Sequence, residues 1–310
     1  MLDKLLSFVS LKHDLYQKLK LQPIERLSLD NFNNVNIDGI YPFHKLAIDK
    51  LYIDSRNFIP TNIAKFSMST EETCQIADLF NPIFEVNHYP TYAIDISEIQ
   101  AFSASKSNLD AYSDVDVLLK KNRPELIQSI TEEALKEMLS HEEISIVNSP
   151  ETTSDSFSIF GWSPKIAICN HGGFHHLAAA QYIAKQLDQF VCLEAKTTCY
   201  TLNEAALKAF NQRYVAFVLT SSTLNGLVEH FERSELKVIR MDFNPSLLID
   251  HQVYFFETLA ENSRIISLFK ERYTCLNDVL AERIQFQNQN RILQDFSDFI
   301  GCTNIQKTAI

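Results

Sequence analysis

The chain has 310 residues, 45% of them hydrophobic, enough to bury a large core in one elaborated domain or two smaller ones. Its 28 basic against 39 acidic side chains leave a net charge of −11, which would repel a polyphosphate backbone, and with no Lys/Arg run nucleic acid is excluded as a default partner. No apolar run approaches the ~20 residues of a membrane span, so no membrane association is expected.

In chain order, residues 1–21 carry apolar side chains at 2, 5, 6, 9, 16 and 19 with charges between them, the pattern of an amphipathic helix and not of a secretory signal. Residues 23–90 scatter Pro, Asn and aromatics without period and predict an irregular wrap, so that 1–90 form an N-terminal layer. TYAIDISEI (91–99) predicts a strand. NRPELIQSITEEALKEMLSH (122–141) predicts one helix, with Asn122 as cap and Pro124 in the first turn. EEISIV (142–147) alternates as a strand, a polar loop follows, and FSIFGWSPKIAIC reads as a hairpin closing on the strand 165–169. FHHLAAAQYIAKQL (174–187) is a helix and FVCLEA (190–195) a strand, which ends a central core over 91–200. Residues 201–310 then alternate: a helix opened by Asn203, the strand 214–219, a helix over 222–233, the strand 237–243 and a helical tail over 255–300. The expected class is α+β, a mixed-sheet core with N-terminal and C-terminal α/β extensions.

Between the strand ending at Cys169 and the helix beginning at Phe174 lies NHGG, followed by FHH, so that two of the six glycines and three of the nine histidines fall within six positions. Glycine lets backbone adopt positive φ and approach a ligand closely. A helix start leaves amide N–H groups unpaired and carries partial positive charge. Together they favour an anion, and His175 and His176 add donors.

The segment GGFHHLAAA resembles the GGCHRYAA loop of sulfiredoxins and the GHRRLAAA loop of ParB-type domains. The order of elements over 91–196 is similar too: strand, helix, strand, hairpin, glycine loop with its helix, and strand. The resemblance implies a ParB/sulfiredoxin-like core whose loop cradles nucleotide phosphates, with ATP or CTP as cofactor, with or without Mg²⁺. It assigns Asn170, His171, Gly172, Gly173, Phe174 and His175 to ligand binding, with His175 and His176 as the groups nearest any chemistry. Asp95 and Glu98 stand where members of this superfamily that phosphorylate small molecules place an acidic residue. Phe174 replaces the sulfiredoxin cysteine and cannot attack sulfur or phosphorus, which removes sulfinic acid reduction. His176 replaces an arginine, so phosphate binding should be weaker and sensitive to pH.

Two rival constellations exist. His171, His175 and His176 invite a metal, yet adjacent helical histidines diverge by about 100°, and the remaining ligands would have to come from Cys169, Cys192, Cys199 or Glu194; no metal ligand set is assigned. FSASKSNLDAYSDVDVLLK (102–120) resembles the nucleotidyltransferase pattern in which a strand carrying Asp114 and Asp116 holds two divalent ions. Its turn glycine is Ala104 here, and the third carboxylate would fall near Ser145. The six cysteines contain no CxxC pair and are too sparse for a disulfide scaffold, pointing to reduced thiols in a cytoplasmic setting; export by a route that reads no signal peptide is compatible with the same sequence. Trp162 is expected to pack or to line the pocket.

The sequence therefore predicts a protein that binds a nucleotide or other phosphorylated small molecule, with phosphoryl transfer or nucleotide hydrolysis at the Asn170–His176 loop. The alternatives are a binding or regulatory protein that kept the pocket without the chemistry, with a protein partner, and a nucleotidyltransferase-like activity at Asp114 and Asp116.

Overall fold

The computed structural model describes residues 12–29, 34–48, 70–220, 222–223, 227, 230–231, 236, 238–241 and 251–296. The chain is mixed α+β and divides into two units that interleave along the sequence: Met1–Ser28, Pro42–Glu85 and Leu202–Gln285 in one, Leu29–Tyr41, Val86–Thr201 and Phe286–Ile310 in the other.

The first helix, α1 (12–20), and α2 (Thr70–Phe80) precede the strands β1 (Phe84–Asp95) and β2 (Ile99–Phe102). Then come α3 (Val115–Asn122), α4 (Glu132–Leu139), β3 (Ser156–Phe160), β4 (Ile166–Cys169), α5 (Phe174–Leu187) and β5 (Cys192–Leu202). The sheet of the unit that contains the glycine loop has the order β1-β5-β3-β4-β2. Within it β2 pairs parallel with β4, β3 antiparallel with β4, and β3 parallel with β5. Because β2 and β4 run the same way, the loops that leave them emerge at the same end of the sheet.

Helix α5 is the pillar of this unit. Leu177, Ala178, Ala179, Ala180, Ile183 and Ala184 are all buried, in a cluster with Phe157, Ile159, Ile166 and Ile168 of the sheet and Leu118, Leu135 and Met138 of α3 and α4. Three consecutive alanines remove side-chain bulk, so the helix can be surrounded on most of its circumference. Gln181, buried among them, donates through Nε2 to the carbonyls of Ile96 and Ile99, at 2.8 and 2.6 Å. Those carbonyls flank the turn into β2, so the bond pins the start of β2 to α5. Trp162, in the β3–β4 turn, is fully buried and donates Nε1–H to the Tyr41 carbonyl. That turn lies where β4 begins, so Trp162 packs at the end away from the glycine loop.

The other unit is built on an antiparallel sheet of order β7-β8-β6-β9, from β6 (Tyr214–Thr220), β7 (Val238–Met241), β8 (His251–Glu257) and β9 (Thr274–Cys275). Helix α6 (Glu204–Asn211) is capped by Asn203, whose Oδ1 accepts from Ala206 N. Helices α7 (Ser263–Arg272) and α8 (Leu276–Gln287) follow the large strands. Leu15 and Leu19 of α1 are buried in one cluster with Phe217, Phe256 and Phe269.

Several expectations are corrected here. The region 23–90 contains a regular helix, α2, and residues 49–69 of it lie outside the described set. The strand expected from Thr91 begins at Phe84 and runs through Pro90 as an edge strand, the position in a sheet where proline is tolerated. One helix over 122–141 does not form. Arg123 precedes Pro124 and is driven out of the helical region (φ −143°, ψ 48°), and Thr131, extended, caps a new helix by accepting from Ala134 N. EEISIV is a turn followed by the short helical segment Ser145–Asn148 instead of a strand. Asn148 Nδ2 donates to the carbonyls of Leu139, His141 and Ile144, which folds the segment back on the end of α4. Phe255 and Phe256 belong to β8, both fully buried, so the expected helical tail starts instead as a strand. The helix expected over 222–233 and the amphipathic residues 1–11 fall largely or wholly outside the described residues.

Substituting Gln181→Leu keeps the volume and strands two buried carbonyls. The loss should be about 2 to 4 kcal/mol of unfolding free energy, read from urea denaturation followed by circular dichroism.

Candidate functional site

Asn170 organises the loop. Its side chain accepts from Ala104 N at 3.3 Å and donates to the carbonyls of Ala104 (3.1 Å) and Gly172 (3.0 Å), while its own carbonyl accepts from Ser103 Oγ. Asn170 is buried, and it clamps the loop leaving β2 to the loop leaving β4. It is therefore a framework residue, with its polar atoms committed to backbone.

Of the two glycines only Gly173 adopts positive φ (65°), as the left-handed residue before α5. A Cβ there would stand 2.8 Å from the carbonyl carbon and oxygen of Glu143. Gly172 has ordinary space, its nearest neighbour being Glu143 Cβ at 3.4 Å. Gly173 offers no side chain to cap the helix, and Leu177 N returns to the Gly173 carbonyl as the first helical bond. The amides of Phe174, His175 and His176 consequently have no intrahelical acceptor. Gly173 N itself donates to Glu143 Oε2 at 3.2 Å.

Around this helix start stand groups that the sequence alone did not connect. His175 Nε2 lies 2.9 Å from Ser107 Oγ, and that hydroxyl accepts a long contact from Asn122 Nδ2, which leaves its proton for the imidazole. Burial holds His175 below its ordinary value of 6.5, and the Arg123 and Lys106 charges push the same way against Glu125. His176 stacks on His141, with ring centroids 3.6 Å apart and planes 14° from parallel. Burial, then His141 and Arg123, hold it below its ordinary value, with Glu143 opposing. Both imidazoles are thus harder to protonate than a free histidine. His171 is fixed differently: Asp155, a buried carboxylate, accepts from its backbone N at 3.0 Å and contacts its Nδ1 at 3.2 Å.

Other residues singled out from sequence stand elsewhere. The Phe174 ring is in the core, edge-on to Phe102 at 4.9 Å, so only its backbone faces the loop. Asp95 caps the turn Ile96–Glu98 by accepting from Ser97 N. Glu98 is raised above the ordinary carboxylate value by burial and by Asp95. Both precede β2, whose first residue pairs with the first residue of β4, so they lie at the end of the sheet opposite the loop. The separation is on the order of 10 Å. They are not brought together with His175 and His176. Asp114 is the N-cap of α3 and Asp116 pairs with Lys185, so neither projects from a strand and the strand geometry of the nucleotidyltransferase pattern is absent there.

Among the described residues no group of three His, Cys, Asp or Glu stands close enough to hold a metal ion. The described cysteines are free thiols, with burial pushing Cys199 up to about 12 and Cys275 up to about 11. No helix among the described residues is long and apolar enough to cross a membrane.

The missed residues were Ser107, Arg123, His141, Glu143 and Asp155. The sequence carried one signal for three of them, Ser107, His141 and Glu143: the helix start needed neighbours, and SASKS and SHEE are the polar segments flanking elements that pack on it.

The two glycines separate by substitution. Gly173→Ala should cost about 2 kcal/mol or more from positive φ and the Glu143 backbone, and Gly172→Ala less than about 1 kcal/mol, both measured by chemical denaturation. The depressed histidines give a pH test. Their folded-state values lie below 6.5, so the stability they contribute is present above the unfolded value and is lost as pH falls through the folded ones. Melting temperature should therefore fall as pH is lowered from 7 to 5, with a smaller fall in His175→Gln/His176→Gln.

No curated protein and no solved structure matches this chain. A family model does, over residues 89–303, a span that holds the whole loop cluster and more than two thirds of the chain. The chain belongs to that family, described as a family of unknown function (DUF6685).

Proposed function

We propose that this protein binds a nucleotide or other phosphorylated small molecule at the start of α5, in a pocket of ParB/sulfiredoxin-like type, and acts there by phosphoryl transfer or nucleotide hydrolysis. The observation that carries the reading is the convergence of cationic and donor groups on one uncapped helix end. Lys106 and Arg123 stand close enough to depress His175, Ser107 contacts that imidazole, and the same helix end has no side-chain cap. In a chain of net charge −11 such a local concentration suits an anion. The resemblance supports the same reading through the order hairpin, glycine loop, helix and strand over residues 156–202. Its other requirement, a strand over 142–147, is a turn in this chain, so the likeness rests on the loop side of the core.

The pocket would take ATP or CTP, with or without Mg²⁺, through the backbone of Gly172 to His176, with Arg123 and Lys106 supplying the permanent charge that His176 lacks. Asp95 and Glu98 have no part in it. One observation favours the alternative of a binding or regulatory protein without chemistry: Glu143 already holds the Gly173 amide, as a built-in anion.

Calorimetric titration with ATP, CTP, GTP and inorganic phosphate, with and without Mg²⁺, tests the reading. Saturable binding of one nucleotide is expected, weakened about tenfold by Arg123→Ala or His175→Ala, in line with the loss of one hydrogen bond to a charged group. Because an anion favours the protonated imidazole, affinity should rise as pH falls from 8 to 6. Absence of binding to every probe rejects the pocket. Binding without turnover selects the regulatory alternative.

A further inference from the structure

Resting on the phosphate-pocket reading, we propose that His171 is a general base for hydrolysis at this loop and that Asp155 is its positioning residue. Asp155 has a side chain only 2% exposed, whereas that of His171 is 70% exposed. One oxygen of the buried carboxylate, Oδ1, meets both the backbone N–H and the ring Nδ1 of His171, at 3.0 and 3.2 Å. The backbone contact alone anchors the loop. The ring contact adds little packing to so exposed a side chain, but it decides the tautomer.

A carboxylate oxygen only accepts, so in the neutral ring Nδ1 carries the proton and Nε2 presents its lone pair. Ser154 Oγ also lies 3.3 Å from Nδ1, which places it on the Asp155 side of the ring and rules it out as a nucleophile activated by Nε2. Among the described residues Nε2 has no partner. A ring held by a buried carboxylate, exposed to solvent and two residues before the glycine that opens α5, is the arrangement a base needs, and the group it activates is water.

The step balances without a further reactant. Water attacks phosphorus and its proton passes to His171 Nε2. The bond from phosphorus to the leaving oxygen breaks with its electron pair going to that oxygen, which takes a proton from solvent as the imidazolium returns one to it, giving an alcohol, a phenol or a shortened nucleotide and inorganic phosphate. His175 and His176 differ from His171 here: Nε2 of the first faces Ser107, and the ring of the second is stacked on His141.

The test uses the full chain labelled with ¹⁵N-histidine, together with turnover of ATP, CTP and para-nitrophenyl phosphate in the presence of Mg²⁺. His171 should show the Nδ1–H tautomer, and Asp155→Asn should raise the Nε2–H population. His171→Gln, a surface change that leaves the fold intact by circular dichroism, should lower kcat about 100-fold with KM within about twofold. Asp155→Asn should lower kcat in the same direction. Turnover within twofold of wild type in His171→Gln, or an Nε2–H tautomer in the wild type, overturns the base and leaves the pocket standing. Calorimetric binding with no wild-type turnover does the same. Failure of every probe to bind removes the pocket and the base together.

Discussion

The parallel pairing of β2 with β4 is the constraint on which the loop cluster depends. Two strands of four residues each, aligned Ile99 to Ile166 and Phe102 to Ile168, send SASKSN and NHGG out at one end of the sheet. Asn170 converts that proximity into a fixed geometry by bonding the backbone of both loops. Without it the segment carrying Lys106 and Ser107 would have no reason to face the start of α5. The same parallelism sets Asp95 and Glu98 apart from the loop: residues entering β2 lie at the end opposite those leaving β4.

The electrostatics of the cluster are mixed, and the mixture limits what it can hold. Arg123 is shared with Glu125 at the surface, and a solvent-exposed pair of this kind is screened and weak. Lys106 and the first-turn amides add positive potential, while Glu143 takes one amide from within. Under the proposed anion binding, an incoming ligand would meet a site part-filled by the protein's own carboxylate. Affinity would then have to come from a ligand with more charge or more contacts than a single carboxylate offers, which suits a polyphosphate better than a monoanion. That same contact holds the backbone of Glu143 against Gly173, where only glycine fits.

The legibility of the sequence varied with the physical signal. Helix α5 is found over 174–187, as its pattern predicts, because a glycine start and a continuous apolar stripe are local features. The hairpin of β3 and β4 and the Asn203 cap were legible for the same reason. The break at Arg123 was also local, since the residue before proline resists the helix, but a strong apolar stripe over 126–139 masked it. The turn at 142–148 was not legible, because it is made by Asn148 reaching carbonyls as far back as Leu139. Phe255 and Phe256 show a third case, in which both faces of a strand are buried and no alternation remains to separate strand from helix.

The candidate site followed the same division. Loop, glycines and histidines were visible, and the functions of individual side chains were not, because these depend on partners 16 to 68 positions away, such as Asp155 for His171 and Ser107 for His175. Three histidines that look equivalent in sequence are held in three different ways. One leans on a serine beside two cations, one is stacked on another imidazole, and one is held by a buried carboxylate, its second nitrogen without a partner among the described residues. Neutral imidazoles do not replace an arginine as a phosphate clamp, but a neutral imidazole in a defined tautomer can move a proton, which a guanidinium cannot. The start of α5 thus carries groups that can gain and lose a proton, and Arg123, at the end of α3, adds the permanent charge that they lack.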